Sequence, residues 1–290
     1  MCNGPLQLHF IAPSFCSHML THKTLTWSLE HPSGIQSYLF GTMHVQDARI
    51  YSKIDGILPL IESCDVYAAE MHLEEAAQFI PNASENDDEN VSEKYSDHQW
   101  ERIVKATKKH FGIDINSYRN MPSIFIIQMI TMSIMGKEHA QSLDQFLWNY
   151  AQQHGKEMKG LETVQEQMDL LGIMSTTERT QDLKTMSRNF SRLKNQIHNL
   201  VDRYMDEDLM GLYHQSRMSL GAARKWMVNH RNPIMAERLD QMASANSVFA
   251  AVGAAHLPGK FGLLRLMKHR GYKVMPLSVA AAEVIDLEVG

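Results

Sequence analysis

Leu25, Trp27 and Leu29 alternate with polar residues over positions 24–30 (TLTWSLE), a period of two that predicts a half-buried strand. The turn chemistry of His31-Pro32-Ser33-Gly34 follows, and the apolar run at 37–40 (SYLF) reads as the returning arm of a hairpin that delivers Gly41 and His44. Ile54, Ile57, Leu58 and Ile61 recur at helical spacing over 51–64, where Pro59 should kink or divide the helix. Residues 65–69 (DVYAA) predict a second strand, which ends at Glu70.

Downstream, 84–93 (SENDDENVSE) is acidic and almost free of apolar residues, a solvated loop. Trp100, Ile103 and Val104 share one face of a helix that Asp97 caps and Gly112 stops. The apolar stretch 122–135 is too short to span a membrane and predicts a buried helix. Ser142 and Gln145 form a capping box for a helix running to His154 and closed by Gly155. A short strand at 157–161 ends in Glu162, and Thr163 with Glu166 caps the next helix. From about 176 to 217, Leu183, Met186, Phe190, Leu193, Ile197 and Leu200 mark one long helix and then a shorter one, packed on a single face. Asn232-Pro233 reads as an N-cap and a first helical residue, so 233–243 should be a helix with Arg231 and Asn232 at its mouth.

The C-terminal segment repeats the order of the N-terminal one. SVFAAVGAAH at 247–256 is again an apolar, β-prone run followed by Gly-x-x-His. Pro258-Gly259 then opens a helix (Phe261, Leu263, Leu264, Leu266, Met267) closed by Gly271, and 272–277 returns as a strand. The fold class expected is α/β: a sheet core built from N- and C-terminal strand–GxxH–helix–strand units, with a large α-helical insertion over about 95–245. Residues 1–22 read as a leader and 23–290 as one domain.

Composition narrows the function. A net charge of −5 with scattered basic residues gives no electrostatic footprint for nucleic acid. No run approaches the roughly 18 apolar residues of a transmembrane segment, and the N-terminus lacks the basic start of a signal peptide. Cys2, Cys16 and Cys64 have no metal-ligand spacing and cannot all pair, which favours a reducing, cytoplasmic setting. The 20 methionines fit adaptable core packing. Nothing in the sequence speaks to oligomeric state.

His44 and His256, each at the end of a strand, would meet only through folding. Two imidazoles and a carboxylate, with one position left for water, make the ligand set of a hydrolytic metal centre. Glu70 is the first carboxylate candidate, because its strand pairs in this reading with the one carrying His44, and Glu162 is the second. Arg231 would suit transition-state charge or a substrate carboxylate. His72, His110, His139, His154 and His214 lack any comparable context. The same histidines could serve a metal-free, esterase-like hydrolase as general base. They could also ligate haem iron in a non-catalytic peptide- or haem-binding protein.

YLFGTMH at 38–44, the strand-end Glu70, GLETVQEQ at 160–167, RNPIMAERL at 231–239 and VGAAHLPG at 252–259 together resemble the TraB/GumN family. That family is related to the Tiki-type metalloproteases and, more distantly, to erythromycin-esterase-like and haem-binding ChaN-like proteins. The resemblance covers roughly 24–277 and implies an α/β core with a helical insertion. For the Tiki branch it implies a divalent-metal peptidase using manganese or cobalt, with zinc the other metal such a donor set would take, and a peptide or small molecule as substrate. Carried over by position, His44, Glu70 and His256 would be the metal and catalytic set. Arg231 and Asn232 would fill an arginine-asparagine motif, and Glu162 a Gly-Leu-Glu motif. Many bacterial members are exported or membrane-anchored.

Overall fold

The alternation at Trp27 and Leu29 becomes β1 (Thr26–Glu30), paired antiparallel with β2 (Gln36–Thr42) so that Thr26 faces Phe40 and Glu30 faces Gln36. The structure, a computed structural model, describes residues 23–44, 47–78, 94–121, 123–134, 141–177, 183–220 and 224–278. The expectations for the 1–22 leader, including Cys2 and Cys16, and for the acidic stretch 84–93 lie outside these residues. The remaining strands are β3 (Val66–Met71), β4 (Glu157–Glu162), β5 (Val248–Gly253) and β6 (Lys273–Leu277). They form one sheet in the order β4-β3-β5-β2-β1-β6.

The strand order interleaves the two halves of the chain. β5 lies between β2 and β3, parallel to both, with Thr42 opposite Gly253 and Ala69 opposite Ala251. β4 extends the sheet parallel to β3, and β6 closes the other side antiparallel to β1. β2, β5, β3 and β4 therefore all deliver their C-terminal ends to one edge. That edge of an open α/β sheet is where ligands bind. The α/β class is as expected, except that β4, within the inserted stretch, is itself part of the sheet.

Helices cover the sheet. α1 (Ala48–Tyr51) and α2 (Leu58–Glu62) stand where one interrupted helix was expected, and Pro59 sits in the first turn of α2, where its missing N–H costs nothing. α3 (Leu73–Gln78) follows β3. α4 (Asp97–Phe111) is capped by Ser96 in a reciprocal box with Gln99, one residue before the expected cap, and Gly112 ends it in the left-handed conformation. α5 (Ser123–Ile134) and α6 (Leu143–Gln153) lie where the apolar run and the Ser142 cap placed them. α7 (Val164–Thr177) begins with Thr163 and Glu166 bonding each other's backbone N–H.

The long helix and the shorter one expected from about 176 to 217 are instead three pieces: α8 (Leu183–Ser187), α9 (Phe190–Met205) and α10 (Leu209–Leu220). The break before α10 passes through Glu207 at φ 53°, outside helical backbone space. A π-helical turn, Lys225–His230, runs directly into α11 (Arg231–Ala243), and α12 (Leu263–His269) precedes β6. α12 starts two residues after Phe261, capped by Gly262, which leaves Phe261 outside the helix and partly exposed.

Two apolar clusters result. The larger contains Trp27, Leu39, Tyr67, Trp148, Phe249 and Leu257 and joins the sheet to α6, α11 and α12. The smaller gathers Tyr95, Trp100, Ile103, Ile130, Met186 and Phe190 among α4, α5, α8 and α9. α9 links them, with Ile197 in the small cluster and Val201 and Tyr204 in the large one. Each such side chain, fully buried, contributes about 1.5–3 kcal/mol.

Arg238 of α11 clamps the start of α7, donating to both oxygens of Glu166 at 2.7 Å and to the Leu161 carbonyl at 2.9 Å. The Arg238 hydrogen bond, against the opposing effect of burial, holds the Glu166 carboxyl at about 2 rather than the ordinary 4.5. A carboxyl depressed on folding contributes stability above its unfolded pKa, and that stability is lost as pH falls from about 4.5 towards 2. Melting temperatures across this window should fall less steeply for Glu166→Gln than for the wild type. Equal slopes would show that the clamp adds nothing.

Candidate functional site

The glycines of the two Gly-x-x-His motifs hold the motifs together. A Cβ on Gly41 would stand 3.0–3.1 Å from Leu257 and Ala254, so the turn after β5 packs directly on β2. A Cβ on Gly253 would press within 3.0 Å of the Glu70 carboxylate. From the helical insertion, the buried Tyr204 hydroxyl donates to the Gly41 carbonyl at 2.8 Å.

Glu70, the penultimate residue of β3, accepts the Gly253 backbone N–H at 2.7 Å on Oε1. Its Oε2 accepts Arg231 Nη2 at 2.6 Å. Arg231 also donates to Glu162: Nε lies 2.9 Å from both carboxylate oxygens, and Nη2 lies 2.5 Å from Oε2. Arg231 and Glu162 are 9% and 3% exposed, so this is a buried carboxylate–guanidinium–carboxylate bridge across the ends of β3, β4 and α11. Two acids against one base leave one net negative charge. Burial would raise the Glu70 carboxyl, but Arg231 and the Gly253 N–H, joined by the His256 ring once acid protonates it, hold it at about 2. The guanidinium is turned onto these carboxylates rather than towards solvent.

Asn232 sets the state of His256. Asn232 was expected to cap a helix starting at Pro233, but the π turn continues the helix through Arg231 and Asn232 is internal to it. Wide π turns are common at functional sites and re-aim the residues that follow. Asn232 Nδ2 donates to the carbonyls of His256 and Phe261, at 2.9 and 2.7 Å, which fixes which way the amide faces. Oδ1 therefore meets His256 Nδ1 at 2.5 Å, and the ring must be the donor. The proton sits on Nδ1, leaving a lone pair on Nε2. Burial, together with the Arg231 charge and against the pull of Glu70 and Glu162, lowers the His256 pKa and keeps the ring neutral.

Nε2 of His256 lies 3.7 Å from Glu70 Oε1. A neutral lone pair and a carboxylate oxygen thus face each other with no protein hydrogen between them. His44 leaves β2 at the same edge but stands more open, with a side chain 56% exposed, and its Nδ1 lies 3.2 Å from Asp144 Oδ2. The Asp144 hydrogen bond, opposed by partial burial and aided by the charges of Asp144 and Glu70, raises the His44 pKa.

The sequence model of the TraB/PrgY/gumN family matches residues 25–276, from β1 through β6. The chain belongs to the TraB/PrgY/gumN family. No curated protein and no solved structure matched it. The match takes in every candidate residue of this TraB/PrgY/gumN protein: His44, Glu70, Glu162, Arg231, Asn232 and His256. Of these, the fold joins Glu70, Glu162, Arg231, Asn232 and His256 by direct contacts, while His44 contacts Asp144. Among the described residues no three His, Cys, Asp or Glu side chains are arranged to enclose a metal ion. Also among the described residues, no helix is long and apolar enough to cross a membrane.

Asp144 escaped the sequence reading because Ser142-Leu-Asp-Gln145 is an ordinary capping signature, and its partner is 100 residues away. Cys64, by contrast, is buried and its thiol is pushed up to about 12 by desolvation, with no part in the site.

Proposed function

We propose that this TraB/PrgY/gumN protein is a divalent-metal-dependent hydrolase acting on peptides. The observation that carries the reading is the opposed pair of His256 Nε2 and Glu70 Oε1, 3.7 Å apart, an imidazole lone pair facing an ionised carboxylate oxygen that accepts one backbone N–H and has room for a cation beside it. The excess negative charge of the Glu70–Arg231–Glu162 bridge favours a cation there. Asn232 holds His256 as partner groups hold metal-ligating histidines, fixing tautomer and ring orientation from behind. The donor set fits two positions of a divalent ion such as manganese, cobalt or zinc. His44 supplies a third donor if its ring turns towards the edge it shares with His256. Bound there, such an ion would make water a better nucleophile at neutral pH.

The protein's own residues divide the remaining work. Glu70 lies 3.7 Å from His256 and, kept ionised by Arg231, is available to accept a proton or to ligate. Arg231 holds Glu70 and Glu162 in register. Glu162, almost wholly buried behind it, anchors the guanidinium.

The His44–Asp144 pair favours one competing reading, metal-free hydrolysis with His44 as general base. Metal analysis of the purified protein, with peptide hydrolysis assayed before and after chelation, separates the two. The expected result is one divalent ion per chain and activity lost to chelator, then restored by manganese or cobalt. Activity that persists after complete metal removal would leave the general-base reading in its place.

A further inference from the structure

We infer that Asp144 is the positioning residue for His44, fixing its tautomer so that the free lone pair falls to Nε2; the inference builds on the hydrolytic reading above. Asp144 Oδ2 lies 3.2 Å from His44 Nδ1. An ionised carboxylate only accepts hydrogen bonds, so the neutral ring must donate from Nδ1, and the lone pair falls to Nε2.

Asp144 is held where it can do this. Ser142 caps α6 by accepting the Gln145 N–H, and Leu143, Leu147 and Trp148 are at most 1% exposed. Trp148 meets Tyr67 of β3 edge to face at 6.1 Å, locking the helix to the strand that carries Glu70.

The two motif histidines are thereby gripped in the same way. Each imidazole is held at Nδ1 by a side-chain oxygen carried on a helix, Asn232 of α11 for His256 and Asp144 of α6 for His44. The acceptors differ as their surroundings do. A neutral amide serves the buried ring, and a carboxylate serves the exposed one, where charge is solvated. A carboxylate behind an imidazole also makes its free nitrogen more basic. An aspartate acting only on the helix dipole would need no contact with a ring from another strand.

Long-range proton–nitrogen spectra of the imidazoles in metal-free protein, with His44→Gln to assign the resonance, test this above the ring's titration range. Wild type should carry the His44 proton on Nδ1. Asp144→Ala should move it to Nε2, Asp144→Asn should retain it on Nδ1, and His256 should be unchanged in both. Asp144→Ser, whose short side chain cannot reach the ring, replaces Asp144→Ala if that variant does not fold. A His44 proton that stays on Nδ1 in Asp144→Ala, or in Asp144→Ser where that variant replaces it, overturns the proposal. In parallel, titration with Co2+ alone should show affinity reduced on the order of 10–100-fold in Asp144→Ala. Absence of Co2+ binding by the wild type would sink the metal reading, while the tautomer would still decide the role of Asp144.

Discussion

Arg231→Met should lower folding stability by about 3–5 kcal/mol, the usual cost of removing one member of a buried ion pair. Glu162 is 3% exposed, and among the described residues Arg231 supplies three of the four hydrogen bonds its carboxylate accepts, the other coming from Gln167 at 3.2 Å. Methionine fills much of the same volume but leaves that charge without its counter-ion. The double variant Arg231→Met/Glu162→Gln removes charge and counter-charge together and should regain most of the loss, since a buried pair is often close to neutral against a well-packed apolar replacement. Denaturant unfolding of the three proteins at neutral pH gives the coupling directly. A single variant that loses less than about 1 kcal/mol, the range of a solvent-screened pair, would show the bridge to be open to water.

The second large effect is on chemistry. Glu70→Gln should reduce peptide turnover by on the order of 10²–10⁴-fold, the range of a general acid–base group. The fold should survive, because the amide oxygen can still accept the Gly253 N–H that Glu70 accepts at 2.7 Å. The reading therefore requires a large fall in kcat alongside a near-native circular dichroism spectrum. If turnover is intact in a folded Glu70→Gln, the role passes to Glu162, the other carboxylate on Arg231.

Much of the site could be read from local pattern because the pattern has a local cause. Gly41 and Gly253 lie at the ends of apolar strands, and a Cβ on either would stand only 3.0–3.1 Å from a neighbouring group, Leu257 and Ala254 for Gly41 and the Glu70 carboxylate for Gly253. That constraint produces the repeated Gly-x-x-His. Glu70 and Glu162 could be seen as strand ends from the β-prone residues before them. Their joint attachment to Arg231 could not, since it depends on β3, β4 and α11 meeting across gaps of 161 and 69 residues.

Asn232 was misread for a physical reason. Asn-Pro looks the same to local rules whether a helix starts there or a π turn carries one through. The breaks around α8 and α9 were hidden similarly, because Leu183, Met186, Phe190 and Ile197 keep helical spacing across them. All four face one small cluster, so the periodicity records a shared face and not a continuous axis.

The interleaved strand order also governs how the chain is made. Thr26 of β1 pairs with Leu277 of β6, and β2 reaches β3 only through β5. A nascent chain emerging from the ribosome can form the hairpin of β1 and β2 early, but it cannot bring that hairpin beside β3 until residues near 250 have been translated. Until then Leu39, Phe40, Tyr67 and Ala68, all buried in the finished fold, lack their central partner strand. Contacts this distant in sequence slow folding and lengthen the exposure of apolar strands. During synthesis, therefore, the half-built sheet is the stage at which this protein is most open to aggregation and most dependent on chaperones.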